Sequence, residues 1–240
     1  MKSYSSTDVG KTRQINQDCV FCTDEPVGRL PNLYIVADGM GGHNAGDFAS
    51  KFCVETFIEQ MKLIKDKSPI GIMGYGLLKA NEELINKATK DTDMQGMGTT
   101  CVAATIMDGI LYVANVGDSR LYIINDSITQ ITEDHSLVEE MVRSGEIARD
   151  EMRNHPNKNI ITRAIGANTS LIPDYFEVEL KEDDIVLMCS DGLTNMVDDK
   201  RIQEIIVENR ENLEEATNKL INIANANGGK DNISLIIIKL

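Results

Sequence analysis

Histidine, cysteine and basic residues are all in short supply, and each shortage removes a class of function. Only three histidines occur in 240 residues, and the five cysteines are an odd number scattered along the chain. Cys19 and Cys22 make a lone C-x-x-C in "CVFC". Residues three apart in a strand differ in parity, so these two side chains should point to opposite faces. No second pair follows, and Cys53, Cys101 and Cys189 are isolated. The cysteines read as reduced core residues, neither a disulfide framework nor a zinc or redox site. No apolar run approaches the ~20 residues that span a bilayer. The opening "MKSYSSTDVGKTRQ" has no apolar core of a secretory signal. With 24 basic against 38 acidic residues, the net charge of -14 is opposite to the basic footprint that nucleic acid requires. These absences predict a cytoplasmic protein, expected as a monomer, with no membrane or nucleic-acid partner. There is also no internal repeat, low-complexity tract or Pro/Gly/Ser-rich linker, so residues 1–240 are expected to form one domain.

What is present is a mixture of hairpins and amphipathic helices. Short apolar strands are predicted at 18–23, 33–37, 100–107, 110–116, 119–124 and 127–131, and again at 174–180, 185–189 and 233–239. The short turns "MDG" at 107–109 and "IND" at 124–126 suggest antiparallel hairpins. Apolar stripes at helical spacing run through Ala49, Cys53, Phe57, Met61 and Ile64, through Leu77, Leu84, Ile85 and Ala88, and through Leu213, Ala216, Leu220 and Ala224. Gly228 and Gly229 stop the third stripe. Helices grouped between hairpins favour antiparallel sheets covered by helices over a parallel doubly wound sheet. Residues 133–162 are short, polar and irregular, a flap-like excursion with one brief helix near 137–143.

The segment "LYIVADGMGGHNAGD" at 33–47 runs from an apolar strand into Asp38 and then a glycine cluster. A phosphate-cradling loop fails, because Asp47 and Phe48 stand where a P-loop needs Lys and Ser/Thr. The dinucleotide pattern fails at Asn44, and no G-x-S-x-G nucleophile turn exists. A metal site remains. Asp191 in "IVLMCSDGL" ends a second apolar strand, Asp118 in "LYVANVGDSR" a third, and Asp231 and Asp18 each lie where a strand begins. Strand ends are where a sheet gathers distant residues at one rim. Two carboxylates 4 Å apart repel by about 4 kcal/mol at an effective dielectric near 20, so a cation should offset the cluster. An all-oxygen donor set selects hard ions such as Mg²⁺ or Mn²⁺.

In this order the segments "TDVGKTRQINQD", "VADGMGGH", "GTT", "VGDSR", "ITRAIG", "CSDGL" and "GGKDNIS" resemble the metal-dependent, type 2C serine/threonine protein phosphatases, in particular their compact bacterial members. The resemblance extends over residues 7 to 234. It implies an α+β fold, a four-layer α-β-β-α sandwich of two antiparallel sheets flanked by helices, with the metal site at one end. It implies hydrolysis of phosphoserine and phosphothreonine in proteins by direct attack of a metal-bridging hydroxide, opposing a serine/threonine kinase. Asp38 would bridge two Mn²⁺ or Mg²⁺ ions, with the Gly39 carbonyl on one of them, and Asp191 and Asp231 would hold the other. Gln17 and Asp18 would reach the metals through water, Asp118 would share a third ion with Asp191, and Arg13 would grip the substrate phosphate. A histidine that some members use as general acid is Met40 here. His43 is the remaining candidate acid, with water as its alternative. His135 is expected to order the chain by hydrogen bonding, and His155 falls in the flap-like segment. A pseudophosphatase should have lost some of the metal aspartates or the phosphate arginine, whereas Arg13, Asp38, Asp118, Asp191 and Asp231 are all present; a small-molecule phosphate hydrolase would share these residues.

Overall fold

The computed structural model describes residues 1–42, 45–65 and 68–240. In chain order the elements are β1 (Lys2–Asp8), β2 (Asp18–Thr23), β3 (Leu33–Met40), α1 (Ala45–Met61), α2 (Pro69–Lys90), β4 (Gly98–Thr99), β5 (Cys101–Met107), β6 (Ile110–Val116), β7 (Arg120–Ile124), β8 (Ile128–Gln130) and α3 (Leu137–Arg143). They continue with β9 (Asp174–Glu179), β10 (Ile185–Cys189), α4 (Asp191–Thr194), α5 (Asp199–Glu208), α6 (Leu213–Ala226) and β11 (Ile233–Lys239). One sheet runs β1-β11-β10-β7-β8; the other runs β2-β3-β5-β6-β9, with β4 paired to β3. Every strand pairing is antiparallel.

The period of two along each strand builds the layers. In β3, Leu33, Ile35 and Ala37 face a core shared with α1 and α2, where Ala49, Cys53, Phe57 and Leu77 pack. Tyr34 and Val36 face the other way, into an inter-sheet core with Val102, Val113, Leu121, Val186 and Ile236. In β10 and β11 the odd positions Leu187, Cys189, Leu235 and Ile237 pack on α5 and α6 through Ile202, Ile205, Leu220 and Ala224. The result is the expected four-layer sandwich. Both sheets are covered on both faces, which is why their central strands are buried along most of their length. The parity argument for the cysteines also holds: Cys19 packs on the helix-side core and Cys22 on the inter-sheet core, and all five thiols are free.

The "MDG" turn is a two-residue hairpin, with Asp108 at φ 53 and Gly109 at φ 78 between the paired Met107 and Ile110. Positive φ at both central positions is what a type I′ turn requires. The structure adds four elements to those predicted, among them the one-turn α4 directly after β10. β1 was hidden because "KSYSSTD" is polar; it pairs as an edge strand along the whole of β11. β4 is only two residues long. α5 buries Ile202, Ile205 and Ile206, a stripe confined to ten residues. β3 also runs three residues past its predicted end, because Gly39 and Met40 pair with Thr99 and Gly98. Asp38 therefore sits inside the strand and not after it.

The 133–162 excursion contains α3 as predicted. It closes on itself through a Ser136–Ile161 bridge, a bond from Leu137 N–H to the Ile160 carbonyl at 2.8 Å, and one from Thr162 N–H to the His135 carbonyl at 2.8 Å.

Candidate metal centre

Antiparallel pairing sets the start of one strand beside the end of the next, and this gathers the aspartates. Asp18 opens β2 directly opposite Asp38 near the end of β3. The bond from Gly39 N–H to the Gln17 carbonyl at 3.0 Å marks their position as the closely spaced type, where Cα atoms lie roughly 4.5 Å apart. Both are even-numbered with Val36, so they face between the sheets. In the other sheet β10 ends one residue before Ser190, whose N–H donates to the Ser234 carbonyl at 3.0 Å, placing Asp191 beside the start of β11 and Asp231. Asp118 lies where the chain crosses from β6 in one sheet to β7 in the other. All five carboxylates reach one rim of the sandwich.

There Arg13, Gln17, Asp38, Gly39, Met40, Thr100, Asp118, Asp191 and Asp231 line a cleft of about 310 Å³. The structure thus brings together every site residue the sequence nominates except His43, which lies outside the described residues. Asp18 lies just beneath the cleft, accepting from Ser190 Oγ at 2.7 Å. Arg13 Nη2 donates to Asp231 Oδ2 at 2.8 Å, and this side chain is 47% exposed. The Arg13 loop is folded down by Gly10 at φ +79, where a Cβ would strike the Asp231 carbonyl, and by Lys11 N–H on the Gly229 carbonyl at 2.8 Å.

The supports of these residues were not legible beforehand, although several lie in the quoted segments. Thr100 Oγ1 accepts from Asp38 N–H at 2.9 Å, Thr100 N–H donates to the Asp38 carbonyl at 2.9 Å, and Thr99 Oγ1 donates to that carbonyl at 2.9 Å. "GTT" is therefore a clamp on the Asp38 backbone, joined to "GDSR" through Thr100 Oγ1 and Ser119 Oγ at 2.7 Å. Asn232 accepts from Gln17 N–H at 2.9 Å and donates to the carbonyls of Val9 at 2.9 Å and Ile15 at 3.0 Å, pinning the loop that carries Arg13. Gly39 is required for space: a Cβ would lie 2.0 Å from the Gly46 carbonyl oxygen. Its φ is not among the positive values, so close backbone approach, not turn freedom, is the reason for glycine there.

His135 does order the chain. Its Nδ1 accepts from Gly117 N–H at 3.0 Å, so Nε2 carries the proton and donates to Asp174 Oδ2 at 3.0 Å. Burial holds its pKa below the ordinary imidazole value. His155 Nδ1 accepts from Asn157 N–H at 3.2 Å, a turn bond inside the excursion.

The charge balance of the rim points to cations. Burial, then the neighbouring Asp18, Asp191, Asp118 and Asp231, pushes the Asp38 carboxyl well above the usual range. Asp118 is raised to about 8 by burial, Asp191 and Asp134, against Arg120. Asp191 is raised to about 6 by burial and Asp231. Asp18 is raised to about 7, chiefly by burial, with Ser234 and Ser190 opposing. Asp18 Oδ1 and Asp191 Oδ1 are buried with no hydrogen-bond partner among the described residues. Native proteins rarely leave such oxygens unsatisfied, and an ion or an ion-held water would complete them. Among the described residues no three His, Cys, Asp or Glu side chains enclose an ion by themselves. An open oxygen site finished by a backbone carbonyl and water fits Mg²⁺ or Mn²⁺, which keep several waters.

The two-sheet, four-layer sandwich gathers five carboxylates at one end, an all-oxygen site suited to metal-dependent hydrolytic chemistry. The family model described as "Protein phosphatase 2C" matches residues 4–233, and the chain belongs to that family. It is 40% identical over 246 residues to the serine/threonine phosphatase stp of Listeria innocua, covering 100% of this chain and 96% of that one. Among solved structures it is similar to the serine/threonine phosphatase Stp1 from Staphylococcus aureus, with a TM-score of 0.91, 35% identity, and coverage of 100% and 94%. It is also similar to the catalytic domain of the serine/threonine protein phosphatase PstP in complex with two manganese ions, with a TM-score of 0.86, 28% identity, and coverage of 98% and 96%. The protein is a serine/threonine phosphatase. Among the described residues no helix is long and apolar enough to cross a membrane.

Proposed function

We propose that the Asp38 cleft removes phosphate from phosphoserine and phosphothreonine in proteins, opposing a serine/threonine kinase. In this reading residues 1–240 act as one cytoplasmic, monomeric catalytic domain, with 133–162 as a flap beside the cleft. The observation that carries it is the convergence of five carboxylates from both sheets on one rim beside Arg13. Asp38 and the Gly39 carbonyl would hold one divalent ion, Asp38, Asp191 and Asp231 a second, and Asp118 with Asp191 a third, while Gln17 and Asp18 would act through water. Bound Mn²⁺ or Mg²⁺ acidifies a water and neutralises phosphoryl charge.

The chain's own residues do the rest. The carboxylate rim alone would repel a phosphate, so Arg13 supplies a permanent, planar fork for the phosphoryl oxygens. Only one of its nitrogens is engaged with Asp231, and Asn232 holds its loop in place. The clamp of Thr99 and Thr100 fixes the Asp38 backbone, which keeps the line of attack on phosphorus constant. Met40 lines the cleft but cannot donate a proton. Protonation of the departing serine or threonine oxygen then falls to His43 or to water, a step worth about 10²–10⁴-fold.

The test is phosphate release from a phosphothreonine peptide with Mn²⁺, with and without EDTA, beside p-nitrophenyl phosphate. Chelator-sensitive release from the peptide is expected. Activity on the small ester alone would replace the protein substrate by a small molecule, and silence on both would leave a partner-recruiting pseudophosphatase. Arg13→Ala should raise KM for the peptide by about 10- to 100-fold, since hydrogen bonds to charged groups contribute roughly 1.5–3 kcal/mol. Unchanged KM and kcat would remove Arg13 from phosphate recognition.

A further inference from the structure

Asp118 and Asp191 line not one cleft but two. On their other side lies a cleft of about 440 Å³, bounded by Asn195 and by Lys158 of the 133–162 excursion. Asn159 and Ile161 of the same segment line the metal cleft, so residues 158–161 form the partition between them.

Beside that partition the side chain of Asn195 faces two charges. Asn195 Nδ2 donates to Asp191 Oδ2 at 2.8 Å. Lys158 Nζ donates to Asn195 Oδ1 at 3.0 Å. The backbone of Asn195 is held as well, its N–H donating to the Asp191 carbonyl at 2.8 Å at the end of α4. An amide can be turned over with little change of shape, but here turning it would set carbonyl oxygen against carboxylate and NH₂ against ammonium. The two flanking charges therefore fix one orientation. In that orientation Asn195 occupies Oδ2 of Asp191 and leaves Oδ1, buried and without a hydrogen-bond partner among the described residues, as the free oxygen.

We propose that Asn195 is a positioning residue that presents Asp191 Oδ1 to a divalent cation, and that Lys158 ties this alignment to docking of the excursion. The proposal rests on the metal-centre reading above. Partners that orient a ligating carboxylate are typically worth 10–100-fold in metal affinity. The excursion and the metal centre then meet in a single amide, so displacement of residues 158–161 releases the orientation of one ligand.

The test uses Asn195→Leu, which keeps the side-chain shape, and Asn195→Ala, with Mn²⁺ binding followed by the EPR signal of free Mn²⁺. Both variants should bind Mn²⁺ about 10-fold more weakly or worse, with circular dichroism unchanged. A residue that merely finishes α4 would lower the melting temperature and leave Mn²⁺ affinity alone, and that result would overturn the proposal. Lys158→Met, followed by hydrogen exchange, should speed exchange of the amides at 158–161; exchange rates equal to those of the unaltered protein would remove Lys158 from the arrangement. If the unaltered protein bound no Mn²⁺ at all, the metal centre itself would fall. Normal binding by the unaltered protein and by both Asn195 variants would overturn the positioning role alone.

Discussion

Replacing Asp38 by asparagine is expected to lower kcat on a phosphothreonine peptide by about 10³- to 10⁴-fold while raising the melting temperature of the chelated protein. The two halves have one cause. Asp38 is buried, lies opposite Asp18 in register, and is surrounded by Asp118, Asp191 and Asp231. Divalent ions held by that carboxylate would supply several kcal/mol of transition-state charge stabilisation, and each 1.36 kcal/mol is about tenfold in rate. Without the ions, burial and the neighbouring carboxyls disfavour the ionised form of Asp38, so the fold holds this carboxyl at a cost. The asparagine amide fills nearly the same volume and gives Asp18 a donor where it now meets a second carboxyl. The backbone clamp of Thr99 and Thr100 acts on main-chain atoms of residue 38 and survives the change. Near-normal turnover at saturating Mn²⁺ would take Asp38 out of the centre. A fall in the melting temperature would show that its charge is used structurally.

That opposition between stability and function also explains which parts of the molecule were legible in sequence. A carboxylate where a buried strand closes contradicts the pattern around it, and the contradiction is visible residue by residue at Asp38, Asp118 and Asp191. What holds the carboxylates obeys the ordinary rules and so gives no signal. Thr100 reads as the first residue of a strand, and Asn195 and Asn232 fall outside every predicted element. Their roles depend on register and on contacts across a long stretch of chain, as in the bonds from Asn232 to Val9 and Ile15. The fold was legible to a similar depth. Hairpins at Asp108–Gly109 and the helix stripes of α1, α2 and α6 follow from period and turn chemistry. β1 did not, because an edge strand against β11 needs no continuous apolar face. The extension of β3 through Asp38 did not either, since it depends on the two-residue partner β4. Gly39 shows the same limit: its presence was legible, but the reason for it, the Gly46 carbonyl opposite, is a tertiary contact.

In EDTA the melting temperature should fall by roughly 5–10 °C between pH 6.5 and 8.5, the reverse of the acid sensitivity usual for folded proteins. The sign follows from the carboxyls whose folded pKa is raised. Asp18 is raised to about 7 and Asp118 to about 8, against an unfolded value near 3.9. Between those limits the folded protein binds more protons than the unfolded one, so stability declines as pH rises through the folded pKa. One extra proton held over two pH units is worth about 2.7 kcal/mol, and a chain of this size shifts by about 2–4 °C per kcal/mol. The window excludes the groups that act otherwise. His135, lowered by burial, adds stability with rising pH only up to its ordinary value near 6.5. Asp24, Asp174 and Glu211, all lowered, act in the acid range, and the raised thiols, Cys19 to about 11, act in the same direction as the rim carboxyls but chiefly above their unfolded value near 8.5, at the edge of the window. Mn²⁺ should oppose the decline, since it binds the deprotonated carboxylates; at 100 times its Kd one site adds about 2.7 kcal/mol. The gap between Mn²⁺ and EDTA melting temperatures should therefore widen steadily from pH 6.5 to 8.5. A flat or rising melting temperature in EDTA across that range would mean that the rim carboxylates are ionised without a cation, and the electrostatic case for the metal centre would fail.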